Sequence, residues 1–258
     1  MAARRNTWTR KQLIVALEFY CRTPFGKLHS RNPEIIKLAK VIGRTPGALA
    51  MKLVNFASFD PVLRERGIRG LAGAGAGDRL VWDEFSGHWE ELALQSAQIK
   101  SSLGEENKTD ELPDFILKEI HPDQTESKSL VKIRRVQGFF RDAVLSSYEY
   151  QCAFCGFAVV PMLNASHIIP WSRTTTQRAD PQNGLALCAF HDRAFDRGFM
   201  SLQPDLQIML SPEVKKAKPS KMHQVSLLGL EGKVMTAPIR FLPDNAALDY
   251  HRANIFRS

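Results

Sequence analysis

The N-terminal part of the chain spaces its apolar residues with the period of amphipathic helices. In the first such segment they lie at i, i+1, i+4 and i+8, as Leu13, Ile14, Leu17 and Cys21. This spacing predicts a helix over residues 9–22 with Thr9 as its N-cap, and it places Cys21 on the buried stripe. Residues 80–99 have a further helical pattern, whose aromatic residues we expect to complete the core of an N-terminal domain.

Two shorter helices are predicted between these segments. Asn32 and Pro33 form one start signal, Gly43 ends that helix, and Thr45 with Pro46 starts the next. Two short helices joined through a glycine at this spacing are typical of a helix-turn-helix. Any helical hairpin has the same start and stop residues, so the pattern favours DNA binding without proving it.

In a helix-turn-helix the second helix lies in the major groove of DNA. The positions expected to be exposed on that helix and to face DNA are Thr45, Gly47, Ala48, Lys52 and Asn55. We expect Arg44, Lys52 and Asn55 to bind DNA, because Arg and Lys bind phosphate or guanine and Asn binds adenine.

The pattern changes after the helices. Residues 99–129 are acidic and polar with two prolines, which predicts a linker. Short strand-like runs follow at 199–202 and 206–210. The sequence therefore predicts an α+β protein with three parts: a helical domain at 1–98, a linker at 99–129 and a second domain at 130–258.

Charge supports a nucleic-acid partner. Residues 1–70 contain 14 Lys and Arg against 4 Asp and Glu, residues 71–130 contain 5 against 13, and residues 131–258 contain 16 against 10. Two basic regions separated by an acidic one are expected of two nucleic-acid-binding modules and a spacer, although solvated surface charge is the alternative. The Gly/Ala-rich segment 70–78 lacks the Gly-Lys-Ser/Thr of a nucleotide-binding loop.

Hydropathy excludes a membrane protein at this stage. No apolar run approaches the roughly 20 residues needed to cross a bilayer. The first residues also lack the apolar core of a secretory signal. We therefore expect a cytoplasmic protein with no membrane partner.

The cysteines point to a metal site. Cys152 and Cys155 have a two-residue gap, and Cys188 and His191 repeat that gap with an imidazole in place of the second thiol. This spacing predicts a structural Zn²⁺ bound by three thiolates and one imidazole. Ordinary buried cysteines would not explain the paired spacing. His191 could instead belong to a catalytic metal site, although its gap from Cys188 argues against that.

The segment between these pairs carries a family resemblance. It contains Asn-Ala-Ser-His-Ile-Ile-Pro-Trp at 164–171 and Asp-Pro-Gln-Asn-Gly-Leu-Ala-Leu-Cys at 180–188. With both metal pairs, the stretch Cys152 to Phe199 resembles the HNH nuclease motif of the ββα-metal family. The resemblance implies a β-hairpin carrying a histidine, a loop leading to an asparagine, and a helix with metal ligands, all clamped by Zn²⁺ because so small a fold buries little core.

The resemblance also implies roles. His167 would be the general base, since a neutral imidazole can take a proton from water. Asn183 would orient the hairpin or touch the metal. The last motif position departs from the family pattern, because Asp192 stands there instead of histidine. Asp196 follows one helical turn later, so the two aspartates are the expected ligands of catalytic Mg²⁺ or Mn²⁺. Asp192 could instead cap the helix or pair with a nearby arginine.

A DNA-reading domain followed by this nuclease motif resembles bacterial HNH restriction endonucleases, including McrA-like enzymes that depend on modified cytosine. The resemblance implies cleavage of double-stranded DNA, methylated at cytosine, by a homodimer in which each site cuts one strand. The alternatives are an HNH nuclease specific for a sequence in unmodified DNA, a non-catalytic DNA-binding regulator in which Asp192 marks a lost active site, and an RNA-directed nuclease. His251 is expected to lie at the surface.

Overall fold

The computed structural model describes residues 7–67, 75–104 and 127–258 of the chain. Most of the predicted linker and most of the Gly/Ala-rich segment therefore lie outside the described residues. The structure divides into two compact units, Met1–Phe139 and Phe140–Ser258. The division falls within a helix rather than at residue 130. Helices with two small sheets confirm the α+β class.

The N-terminal unit is helical. Its helices are α1 (Arg10–Arg22), α2 (Pro33–Val41), α3 (Pro46–Ala57), α4 (Pro61–Glu65), α5 (Ala76–Phe85) and α6 (Trp89–Ser102), with a 3₁₀ turn at Phe25–Lys27. The predicted caps are confirmed, because the side chains of Thr9, Asn32 and Thr45 accept backbone N–H groups of α1, α2 and α3. The pattern at 80–99 forms two helices rather than one, since Gly87 between α5 and α6 has a φ of +85°.

The core of this unit surrounds α1. Cys21 and Tyr20 are fully buried in it. The ring of Tyr20 lies 6.3 Å from that of Phe56 and 6.1 Å from that of Trp82, and its hydroxyl donates to Asp60 at 3.1 Å. The aromatic residues of α3 and α5 therefore build the core and do not form a ligand cage.

The second unit begins inside α7 (Ser127–Ser147). Its further elements are β1 (Leu163–His167), β2 (Gly184–Cys188), α8 (Ala189–Asp196), β3 (Met200–Leu202), β4 (Ile208–Leu210), α9 (Pro212–Lys216), α10 (Lys221–Ser226) and α11 (Asn245–Asn254). The 3₁₀ turns lie at Val160–Met162, Trp171–Arg173, Pro181–Asn183 and Leu228–Leu230.

Two antiparallel hairpins organise this unit. In the first, β1 pairs with β2 so that Leu163 lies opposite Cys188 and His167 lies opposite Gly184. In the second, β3 pairs with β4, which confirms the two short strands predicted there. Helix α8 packs against β1, β2 and β3. The order β1, β2, α8 is the ββα arrangement that the resemblance implied.

The expectation that His251 lies at the surface is wrong, because the residue is only 1% exposed. Its Nε2–H donates to the carbonyl oxygen of Phe195 at 3.2 Å, so its Nδ1 accepts from the Ser201 hydroxyl at 2.9 Å. Its ring stacks on that of Phe195 at 3.8 Å. Burial lowers the pKa of His251 to about 4. His251 therefore ties α11 to α8 and β3.

No helix in the three described ranges is long and apolar enough to cross a membrane.

The buried His251 predicts an acid-sensitive fold. Because its pKa falls from 6.5 to about 4 on folding, the unfolded chain binds a proton that the folded chain does not between those pH values. The free energy of unfolding should therefore decrease as pH falls through that window, by about 1.4 kcal/mol per pH unit. Denaturant unfolding at acidic and neutral pH should show a smaller pH difference for His251→Gln than for the wild type. Equal differences would contradict this assignment.

Candidate functional site

The predicted metal ligands meet in the second unit. The ligand atoms of Cys152, Cys155, Cys188 and His191 all lie within 4.8 Å of one another. The Nδ1 of His191 is 3.5 Å from the Sγ of Cys152 and 3.2 Å from the Sγ of Cys188. Tetrahedral Zn²⁺, with bonds of about 2.3 Å to sulfur and about 2.0 Å to nitrogen, places its ligand atoms at separations of this order. The cluster can therefore hold a structural Zn²⁺.

His191 has the tautomer that such a site requires. Its Nε2–H donates to the carbonyl oxygen of Ser226 at 2.8 Å, which leaves the lone pair of Nδ1 directed at the sulfur atoms. A backbone carbonyl commonly fixes a metal-binding histidine in this way. The structure thus brings His191 to the cysteines.

Local backbone structure brings the two pairs together. The Gly156 N–H donates to the Cys152 carbonyl at 2.8 Å, and Gly156 has a φ of +73°, so the chain turns sharply after Cys155. Cys188 is the last residue of β2, and His191 lies in the first turn of α8. A metal ion in this cluster would join the loop after α7 to the ββα elements.

His167 is the last residue of β1 and is partly buried. Its Nε2–H donates to the carbonyl oxygen of Arg178 at 3.1 Å, so Nδ1 carries the lone pair. Phe140 stacks on the imidazole at 3.8 Å with 9° between the ring planes, and Trp171 meets it edge-on at 5.8 Å. Burial lowers the pKa of His167 to about 4. The imidazole is therefore neutral near pH 7.

Asn183 is 1% exposed and holds the chain that follows His167. Its Oδ1 accepts the N–H of Ile169 at 2.8 Å, while its Nδ2 donates to the carbonyls of Ile169 and Gln177 at 3.1 and 3.2 Å. The amide is thus occupied on both sides by backbone groups. This arrangement supports an orienting role for Asn183 more than contact with a metal.

The two aspartates face the strand that carries His167. Asn164 and Ser166 lie two residues apart on β1, and therefore on one face of it. Asn164 donates to Asp192 at 2.6 Å, and the Ser166 hydroxyl donates to Asp196 at 3.5 Å. Burial raises the pKa of Asp192, against the lowering effect of its hydrogen bond from Asn164. Two carboxylates of α8 therefore lie beside β1.

Three residues around this site were not predicted from the sequence. The Phe140 ring and the Arg178 carbonyl contact His167 directly. Arg141 donates from Nη1 to the Leu163 carbonyl at 2.8 Å, at the other end of β1. Each of these contacts joins residues that lie apart in the sequence, so local residue spacing did not indicate it.

The candidate DNA-binding residues of the N-terminal unit form internal contacts. Arg44 donates to the Thr7 carbonyl at 2.6 Å and to the Gln12 side chain at 2.8 Å. Its guanidinium also lies over the Trp8 ring at 4.8 Å. Arg44 therefore fastens the residues before α1 to the start of α3.

Lys52 and Asn55 both contact Asp78 of α5. The Lys52 ammonium lies 2.7 Å from each Asp78 carboxylate oxygen, and the Asn55 amide donates to one of them at 3.2 Å. The expectation that Asn55 is exposed is wrong, because Asp78 draws its side chain into the core and leaves it 7% exposed. The most exposed apolar side chain of α3 belongs instead to Met51.

The fold and the site together define a ββα domain with a cluster of three cysteines and one histidine. The model of the HNH endonuclease family matches residues 152–203. These residues therefore form an HNH endonuclease domain. No curated protein matches the chain significantly.

One similar solved structure is a modification dependent TagI restriction endonuclease. The similarity covers 45% of this chain and 37% of that one, with 22% sequence identity and a TM-score of 0.31. The chain thus spans just over a third of that protein.

We predict that the isolated protein contains one tightly bound Zn²⁺ per chain. Cys188→Ser should lose the metal and lower the melting temperature of the second unit, because structural zinc contributes directly to folding. Metal analysis together with thermal unfolding measures both. Cys21→Ala is the matched control, since Cys21 is buried in α1 and should leave the zinc content unchanged. Full zinc content in Cys188→Ser would contradict the assignment.

Proposed function

We propose that the chain is a metal-dependent HNH endodeoxyribonuclease that acts as a restriction endonuclease. The observation that carries the proposal is the environment of His167: a neutral imidazole, fixed at the end of β1 with a lone pair on Nδ1, within a domain of the HNH family. The neutral imidazole is the protonation state that a general base requires.

Phosphodiester hydrolysis requires an activated water, charge stabilisation at the phosphate and help for the leaving 3′-oxygen. In the proposed mechanism, Nδ1 of His167 accepts a proton from the attacking water. The Arg178 carbonyl holds the Nε2–H, which stabilises the imidazolium that forms. Asn183 keeps the loop after His167 in place by its three backbone hydrogen bonds.

Asp192 and Asp196 are the proposed ligands of the catalytic cation. Carboxylate oxygens are the ligands that Mg²⁺ and Mn²⁺ prefer. Both side chains accept hydrogen bonds from β1, the strand that ends in His167, on the face opposite the one to which His167 belongs. Such a cation would stabilise the charge on the scissile phosphate and on the leaving oxygen. Asn164 and Ser166 orient the two carboxylates through hydrogen bonds.

Recognition of DNA is assigned to the N-terminal unit. Its net positive charge suits duplex DNA, and modified cytosine in that DNA is the proposed target. Arg44 and Lys52 are proposed phosphate contacts. Asn55 would read a base only if its contact with Asp78 opened. A homodimer would cut both strands, and a cytoplasmic location would give access to DNA.

Plasmid nicking tests the proposal. The zinc-loaded protein should nick supercoiled plasmid when Mg²⁺ or Mn²⁺ is added. His167→Ala should reduce the rate by about 100-fold or more, because general-base catalysis contributes roughly 10²- to 10⁴-fold. Its zinc content should be unchanged. His29→Ala, which removes an exposed histidine of the N-terminal unit, should cut at the wild-type rate.

The substrate decides between the proposal and its alternatives. Plasmid from a cytosine-methylating host should be cut faster than the same DNA amplified without methylation. Equal cutting of the two plasmids would support nuclease activity and exclude dependence on that methylation. DNA binding without any nicking would support the non-catalytic regulator, and preferential cleavage of single-stranded RNA would support an RNA-directed enzyme.

A further inference from the structure

The glycine opposite His167 leaves a space that helix α7 fills. Gly184 is the cross-strand partner of His167 in the β1–β2 hairpin. A Cβ atom at this position would lie 2.4 Å from a methyl carbon of Val144 and 2.9 Å from the Cζ of Phe140. Both distances are shorter than carbon atoms tolerate. The hairpin and α7 can therefore approach this closely only because residue 184 has no side chain.

This close approach brings Phe140 onto the imidazole. The two rings are almost parallel, at 9°, with centroids 3.8 Å apart, and Phe140 is only 2% exposed. The hydrogen bond from Nε2 to Arg178 selects the tautomer of His167, but a single bond leaves the ring free to tilt about it. The flat contact with Phe140 removes that freedom.

We infer that Phe140 and Gly184 are positioning residues for the general base. Because Gly184 has no side chain, α7 can pack closely against the hairpin. Phe140 then sets the plane of the His167 imidazole so that Nδ1 points at the attacking water. The inference rests on the proposed nuclease function. Arg141, the next residue of α7, binds the carbonyl of Leu163 at the start of β1. Helix α7 thus holds β1 at both ends.

The test compares two substitutions on the same helix in the full-length, zinc-loaded protein. Phe140→Leu removes the stacked ring and keeps an apolar side chain. Val144→Ala is the matched control, because Val144 lies one helical turn later and packs against the same glycine. Single-turnover cleavage with the protein in saturating excess over plasmid, DNA affinity, zinc content and melting temperature are measured for each variant.

We expect Phe140→Leu to lower the single-turnover rate by about 10- to 100-fold, since small misplacements of reacting groups cost this much. DNA affinity and zinc content should be unchanged, so the loss lies in the chemical step. Val144→Ala should keep a cleavage rate near that of the wild type although its melting temperature falls. If Phe140→Leu loses its zinc, Phe140→Met, which has a similar volume but a longer and more adaptable side chain, replaces it.

Nitrogen-15 NMR of His167 gives a readout that simple destabilisation does not change. In the wild type we expect the tautomer protonated at Nε2. In Phe140→Leu the imidazole can tilt away from the Arg178 carbonyl that fixes this tautomer, so we expect a mixture of both tautomers. A wild-type rate in Phe140→Leu, or an equal loss of rate in Val144→Ala, would overturn the inference. If His167→Ala itself still cuts, the proposed function fails instead, so the two failures are distinguishable.

Discussion

The convergence of three cysteine sulfur atoms and one imidazole nitrogen is the constraint that joins the loop after α7 to β2 and α8. Strands β1 and β2 have five residues each and α8 has eight, too few to build a large core of their own. Cys188 ends β2, and the register of that strand places His167 opposite Gly184. A metal ion that holds Cys188 to Cys152 therefore also fixes where the candidate base lies.

Two groups of side chains in the second unit differ in the metal ions that their atoms suit. The soft thiolates and His191 form a closed set of four, which suits a structural ion and leaves no position for substrate. The carboxylates of Asp192 and Asp196 lie on α8 beside β1 and are the proposed oxygen ligands of a harder cation. His167 touches neither set in the contacts observed, and its surroundings are a phenylalanine, a tryptophan and a backbone carbonyl. Its neutrality follows from burial.

Features encoded by neighbouring residues could be predicted from the sequence, and features encoded by distant contacts could not. The caps at Thr9, Asn32 and Thr45 and the paired metal ligands depend on spacings of a few residues. The burial of Asn55 depends on Asp78, and that of His251 depends on Ser201 and Phe195. The stacking of Phe140 on His167 likewise joins residues far apart in the chain. Hydrophobic periodicity predicts that such a residue is buried, but not which side chain it meets.

The central claim is that the His167 imidazole takes the proton of the attacking water. Chemical rescue tests it most directly. His167→Gly removes the imidazole beside the flat face of Phe140, and the zinc-loaded variant is assayed for plasmid nicking with increasing imidazole in solution. We predict that cleavage is lost and then restored by imidazole with saturation, and that imidazoles of different pKa restore it to different extents. Nicking at the wild-type rate by His167→Gly without any added imidazole would contradict the account.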